Sequence, residues 1–190
     1  MPPRPRLNEQ LLIEEAIVLI DREGPQGLSL ATLAAKLGVK PPSLYNHVQG
    51  LPGLERALTL RGLEELSKAL RDAAVGRAGS DALRAIAHAY RTFAKQHPGL
   101  YAMTQRSQEG RDEEIQAAAW QAVEVVLRVL EAFDLKGDEA IHATRCLRSA
   151  LHGFVTLEAT EGFGLSLEID ASFEKLLTMV DGGLRAAFSS

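Results

Sequence analysis

The chain has 190 residues, 46% of them hydrophobic and 24% charged, which is ample material for a buried core and excludes a disordered linker. Its 21 Lys and Arg against 25 Asp and Glu give a formal charge of -4, so it lacks the general basic surface of an indiscriminate nucleic-acid binder. The single cysteine, Cys146, excludes an internal disulfide or a multi-cysteine metal site; apolar stretches broken by charges and the lack of an apolar leader predict a cytoplasmic protein without a membrane span.

The hydrophobic spacing predicts an all-α chain of about nine helices, with no hairpin signals to build a sheet. Met1-Pro2-Pro3-Arg4-Pro5-Arg6 reads as a short basic arm, in which Arg4 and Arg6 either follow DNA phosphates or a minor groove, or simply solvate the terminus. Asn8 caps a first helix whose inner stripe is Leu11, Leu12, Ala16, Leu19 and Ile20, ending near Glu23-Gly24-Pro25. A second helix covers Leu30 to Leu37, and Gly38 supplies the left-handed residue that ends it. Pro41 and Pro42 suit the first turn of a third helix reaching His47, with Leu44 and Val48 inward and Lys40, Ser43, Tyr45, Asn46 and His47 on the outer face. Such a corner commonly presents a short helix to the DNA major groove, although the spacing alone also suits a solvated helical hairpin. No Asp or Glu falls between Gly24 and Leu54, while Lys36 and Lys40 do.

A long fourth helix is predicted from about Pro52 to Ala74, broken by Val75-Gly76-Arg77-Ala78-Gly79. Ser80 or Asp81 starts a helix to His97, Pro98 opens a shorter one to about Arg106, and another runs from about Asp112 to Phe133. Asp138 is the expected cap of a helix from Glu139 to about Glu161, and the last runs from about Ala171 to Phe188, beyond Gly162-Phe163-Gly164.

Phe93, Tyr101, Met103, Trp120, Val123 and Leu127 come from three neighbouring helices, with His142, Arg145 and Cys146 as polar additions from a fourth. An apolar cavity with a few polar groups is a common small-molecule site, and the same aromatics serve equally as plain core. The last two helices carry broad apolar faces, among them Leu147, Leu151, Phe154, Val155, Phe173, Leu177, Val180 and Leu184. Two such faces either close the monomer core or form a four-helix interface between two copies. His142 and Cys146 lie four apart but lack further ligands, and no nucleophile stands with a base; neither catalysis, a metal nor a cofactor is expected.

Gly27-Leu28-Ser29, Leu33-Ala34-Ala35-Lys36-Leu37-Gly38-Val39 and Leu44-Tyr45-Asn46-His47-Val48 occur in order between about Leu11 and Leu58. This stretch resembles the DNA-binding domain of the TetR family of bacterial transcriptional regulators. The resemblance implies that Tyr45 and His47 touch phosphates, that Lys40, Pro41, Pro42, Ser43 and Asn46 face base edges, and that Ala31 and Thr32 add contacts. A Lys or Arg common in the family at the start of the fourth helix is replaced by Gln49-Gly50-Leu51-Pro52-Gly53. It further implies a helix-turn-helix domain over 1–50, a helical effector-binding and dimerisation domain over 51–190, and a homodimeric repressor released from a palindromic operator by a hydrophobic or amphipathic effector. Leu151-His152-Gly153-Phe154, with Glu158 and Gly162-Phe163-Gly164, more briefly resembles the TetR subgroup with a Trp-His-Gly motif, Leu151 standing where that subgroup has Trp. The competing readings are an α-helical enzyme or ligand carrier that uses the corner structurally, and a nucleoid-type DNA binder.

Overall fold

A computed structural model describes residues 7–106 and 112–187, and every regular element among them is helical. Eight α-helices follow in order: α1 (Glu9–Glu23), α2 (Leu30–Leu37), α3 (Gly50–Ala74), α4 (Gly79–Gln96), α5 (Pro98–Gln105), α6 (Glu113–Leu130), α7 (Gly137–Ala159) and α8 (Ile169–Ala187). Three short 3-10 helices, Pro25–Gly27, Pro41–Asn46 and Glu131–Phe133, join them.

The helix ends follow local chemistry. Asn8 accepts the Leu11 amide at 2.8 Å to cap α1. Ser29 and Thr32 form a reciprocal capping box at the start of α2, each side-chain oxygen accepting the other's backbone N–H at 3.0 Å. At its end, Gly38 (φ 66°) lets the Val39 amide reach back to the Ala34 carbonyl at 3.0 Å, the closing bond of a Schellman turn. One expected cap is corrected: α7 begins at Gly137 with Lys136 in the capping position, so Asp138 lies inside the first turn, where its charge favours the helix dipole.

The chain divides into two compact units, one from the described residues of Met1–Leu63 and His97–Ile115, the other from those of Glu64–Gln96 and Gln116–Ser190. The boundary drawn from sequence at residue 50 therefore falls inside the first unit, because the first half of α3 and all of α5 join the corner.

In the first unit α1 lies against α2 and α5, over a core of Leu12, Ala16, Leu19, Ile20, Leu33, Leu44, Leu54 and Leu58. Asp21 fixes the start of α5, accepting the Leu100 amide at 3.0 Å and standing 3.0 Å from Nδ1 of His97. Gly62 lets α3 approach α5; a Cβ there would lie 2.8 Å from a Thr104 methyl and 3.1 Å from the Leu100 carbonyl oxygen. Arg56 of α3 binds Asp112 at 2.6 Å and Glu114 at 2.5 Å, which holds the Asp112 carboxyl below its ordinary range, chiefly through the hydrogen bond.

In the second unit α4, α7 and α8 pack together. Arg91 of α4 is only 8% exposed, and its guanidinium lies 5.5 Å from the ring centre of Phe154 and 4.7 Å from that of Phe173. It donates two hydrogen bonds to Glu158 (2.8 and 2.6 Å) and one to Asp170 (2.7 Å), while Lys95 reaches Glu158 at 2.8 Å. A buried cation is tolerable because its partners, the largely buried Glu158 and the exposed Asp170, are charged and their hydrogen bonds directional. The hydrogen bonds from Arg91 and then Lys95 hold Glu158 down at about 2, against the opposing pull of burial.

Candidate nucleic-acid interface

The segment expected to be the third helix is a 3-10 helix, Pro41–Asn46, and its sequence explains why. Pro41 pushes Lys40 into an extended conformation (φ -83°, ψ 142°), leaving a stretch of 6 residues, too short to settle into α geometry. Ser43 donates to the Lys40 carbonyl and His47 to that of Leu44, both at 2.9 Å, and the Val48 amide recovers an α-type bond to Leu44 at 3.1 Å.

Leu44 is fully buried and Val48 nearly so, which turns Lys40, Pro41, Pro42, Tyr45 and Asn46 to solvent. Ser43 and His47 are half-buried at the flanks. Tyr45 is 62% exposed, a large aromatic left mostly uncovered among the described residues. Residues of one short turn thus share a surface that phosphates and base edges can reach.

Two basic or polar residues of the region are partly committed elsewhere. Lys36 pairs with Glu15 of α1 at 3.1 Å, so the acid-free window in the sequence is not acid-free in space. Thr32, expected to touch DNA, uses its hydroxyl oxygen in the capping box and donates to the chain's own carbonyls of Gly27 and Ser29; neighbouring Ala31 is exposed. Arg4 and Arg6 lie outside the described residues. At the start of α3, Gly50 adopts φ 69°, so the left-handed turn that glycine permits stands where the family pattern has a cation.

The other predicted sites fare differently. Phe93, Tyr101 and Met103 are buried core side chains, Tyr101 and Met103 in the first unit and Phe93 in the second. Trp120 is exposed, its indole N–H donating to Glu124 at 3.2 Å, and Val123 and Leu127 are half-buried. His142, Arg145 and Cys146, expected to add polar contacts to a cavity, are all three exposed on α7. They sit away from the Ala140, Ala143, Leu147 stripe that faces the core. Leu147, Leu151, Val155, Phe173, Leu177 and Leu184, expected at a dimer interface, are buried within the single chain, and Phe154 and Val180 are half-buried. The outward stripes are Cys146, Ala150, Gly153 and Leu157 on α7, and Ser172, Leu176, Met179 and Gly183 on α8, both at helical spacing and rich in small residues.

Sequence reasoning missed a cleft of about 350 Å³ in the second unit, lined by Arg71, Arg77, Arg128 and the exposed Val75 over the buried Val125 and Val129. None of the nine residues expected to bind an effector lines it. The Val75 to Gly79 break was legible as a helix end; that it meets α6 is a tertiary fact. Among the described residues no group of three His, Cys, Asp or Glu side chains is placed to hold a metal, and no helix is long and apolar enough to cross a membrane.

Residues 83–180 match the family model for the tetracyclin repressor-like C-terminal domain. An HTH-type transcriptional regulator of Mycobacterium tuberculosis is 39% identical over 180 residues, covering 94% of this chain and 82% of its own. The chain belongs to the TetR family. The HTH-type transcriptional regulator YobS of Bacillus subtilis is 40% identical over 164 residues, covering 86% of this chain and 85% of its own. Among solved structures, a TetR variant of Acinetobacter baumannii AYE in complex with minocycline superposes with a TM-score of 0.72 at 23% identity, over 97% of this chain and 100% of that one. The TetR-family chain is thus a DNA-binding transcriptional regulator rather than an enzyme, and its all-helical fold is the one expected.

Proposed function

We propose that this TetR-family regulator is a homodimeric repressor whose two Pro41–Asn46 segments enter successive major grooves of a near-palindromic operator. The observation that carries the reading is the outward face of that segment: Lys40, Tyr45 and Asn46 lie exposed over the buried Leu44. Tyr45 and His47 take phosphate contacts, and Lys40, Pro41, Pro42, Ser43 and Asn46 meet base edges, with Ala31 and Thr32 beside them. The arm residues Arg4 and Arg6 add minor-groove or phosphate contacts.

Dimerisation supplies the second half-site. The small residues of the outward stripes, Gly153 and Gly183 among them, allow helices to approach closely, and Leu157 and Met179 provide apolar area to bury. These replace the buried leucines as the interface residues.

A small hydrophobic or amphipathic effector completes the reading. It releases DNA only by binding the non-binding state better; a preference of about 100-fold shifts the equilibrium by roughly 2.7 kcal/mol. The TetR variant solved with minocycline supports the idea of a small-molecule effector without identifying the one that acts on this chain.

Selection of bound sequences from a random duplex pool tests the reading. One enriched inverted repeat, with half-sites about one helical turn apart, is the expected result. Retention of all duplexes alike at low salt favours a nucleoid-type role, and retention of none ends the operator reading.

A further inference from the structure

We infer that the cleft between the end of α3 and the outer half of α6 binds an anionic amphiphile, a carboxylate or phosphate carried on a short apolar body. All its lining residues belong to the second unit. Its floor is apolar, built from Ala74, Ala82, Val125 and Val129, and its rim carries the exposed Val75 and three arginines against one carboxylate, Glu124.

The rim cations are available. Among the described residues, Arg71 and Arg128 form no ion pair or side-chain hydrogen bond, whereas Arg56, Arg84, Arg91 and Arg106 all pair with carboxylates. Arg77 is held in place by its own backbone, donating to the Ala73 carbonyl at 2.8 Å, which leaves its charge unneutralised. Glu124 is engaged by the Trp120 indole. A chain with a net charge of -4 thus gathers three uncompensated arginines around one apolar hollow. Guanidinium groups match carboxylate and phosphate oxygens in a planar fork, and a volume near 350 Å³ suits a small ligand rather than a macromolecule.

A cationic amphiphile meets like charge at the rim, and a neutral one leaves the arginines without partners. The order of affinity is therefore anion above alcohol above ammonium. The inference names a ligand class for the effector role proposed above and rests on that role only for its consequence on DNA.

The test is isothermal titration of the full, DNA-free chain with octanoate, octyl phosphate, octan-1-ol and octylammonium. Octanoate or octyl phosphate is expected to bind at least about tenfold more tightly than the alcohol, equivalent to about 1.4 kcal/mol. Arg71→Gln and Arg128→Gln are each expected to weaken the anion several-fold while leaving the circular dichroism melt unchanged. If either variant fails to fold, amide shift mapping on the unaltered chain decides, with octanoate expected to move Val75, Val125 and Val129. Equal binding of the alcohol, anion affinity unchanged in both variants, shifts confined to other residues, or no anion binding overturns the assignment. Because no DNA is present, these outcomes leave the operator reading standing, and a failed duplex selection leaves the anion cleft standing.

Discussion

Gly99 of α5 lies so close to Ile20 of α1 that a Cβ on it would sit 2.2 Å from both the carbonyl carbon and oxygen of Ile20. Backbone meets backbone there, so no rotamer change relieves the contact. Together with the Asp21 bonds to Leu100 and His97, it clamps α5 to the helix that supports the corner of α2 and Pro41–Asn46.

Gly99→Ala is expected to destabilise the protein by about 1–3 kcal/mol, since extra volume in a closed contact forces a backbone shift. Thermal unfolding by circular dichroism checks this. A melting temperature equal to that of the unaltered chain would show that the two helices separate freely.

The ion network in the second unit gives a pH signature. Glu158 sits at about 2 in the folded chain and near 4.5 when unfolded, so its contribution is fully present above the unfolded value and is lost as pH falls through 4.5 toward 2. Denaturant melts at pH 7, 4 and 3 are expected to show this loss, and Glu158→Gln to flatten that part of the profile. Arg91→Met, which leaves Glu158 buried with only Lys95, is expected to cost about 3–5 kcal/mol at pH 7. A variant as stable as the parent would mean that Glu158 re-solvates.

Exposed Tyr45 is expected to tolerate replacement. Tyr45→Ala leaves stability within about 0.5 kcal/mol, because the side chain is 62% exposed and little buried area is lost, and lowers operator affinity uniformly across sequences. Asn46→Ala instead relaxes preference at one base pair, by about 1–3 kcal/mol. Gel-shift titration on the selected duplex and its point variants separates the two, and unchanged binding by both variants removes these residues from the interface.

Met179 is 73% exposed on α8, and a charge there touches nothing inside the chain. Met179→Glu is expected to convert a dimer to a monomer in sedimentation without lowering helix content, whereas Leu177→Glu unfolds the chain because Leu177 is fully buried. A Met179→Glu protein that remains dimeric would place the interface elsewhere.

The helix boundaries were largely legible because caps and breakers act within a few residues. Asn8 and Gly38 place the start of α1 and the end of α2 as the letters predict, and the Ser29–Thr32 box, which the sequence reading did not name, sets the start of α2. The predicted α-helix over Pro41 to His47 gave way to 3-10 geometry because a stretch of 6 residues, opened by an extended Lys40, is too short to build an α ladder, a limit that spacing of apolar residues does not register. The apolar faces of α7 and α8 were also visible, but their allegiance was not: periodicity says that Leu147 and Leu177 share a buried side, and cannot say whether that side meets the same chain or another.

By itself, then, the sequence determined the helical class, the corner and the outward Lys40-to-His47 surface, since these follow from 3.6-residue periodicity and short-range hydrogen bonding. Only the tertiary structure decided that Lys36 is paired with Glu15, that α5 belongs with the corner, and that Arg71, Arg77 and Arg128 ring one hollow. Those facts join residues from 21 to more than 50 positions apart. No local rule of propensity or capping reaches that far; packing of whole helices sets it.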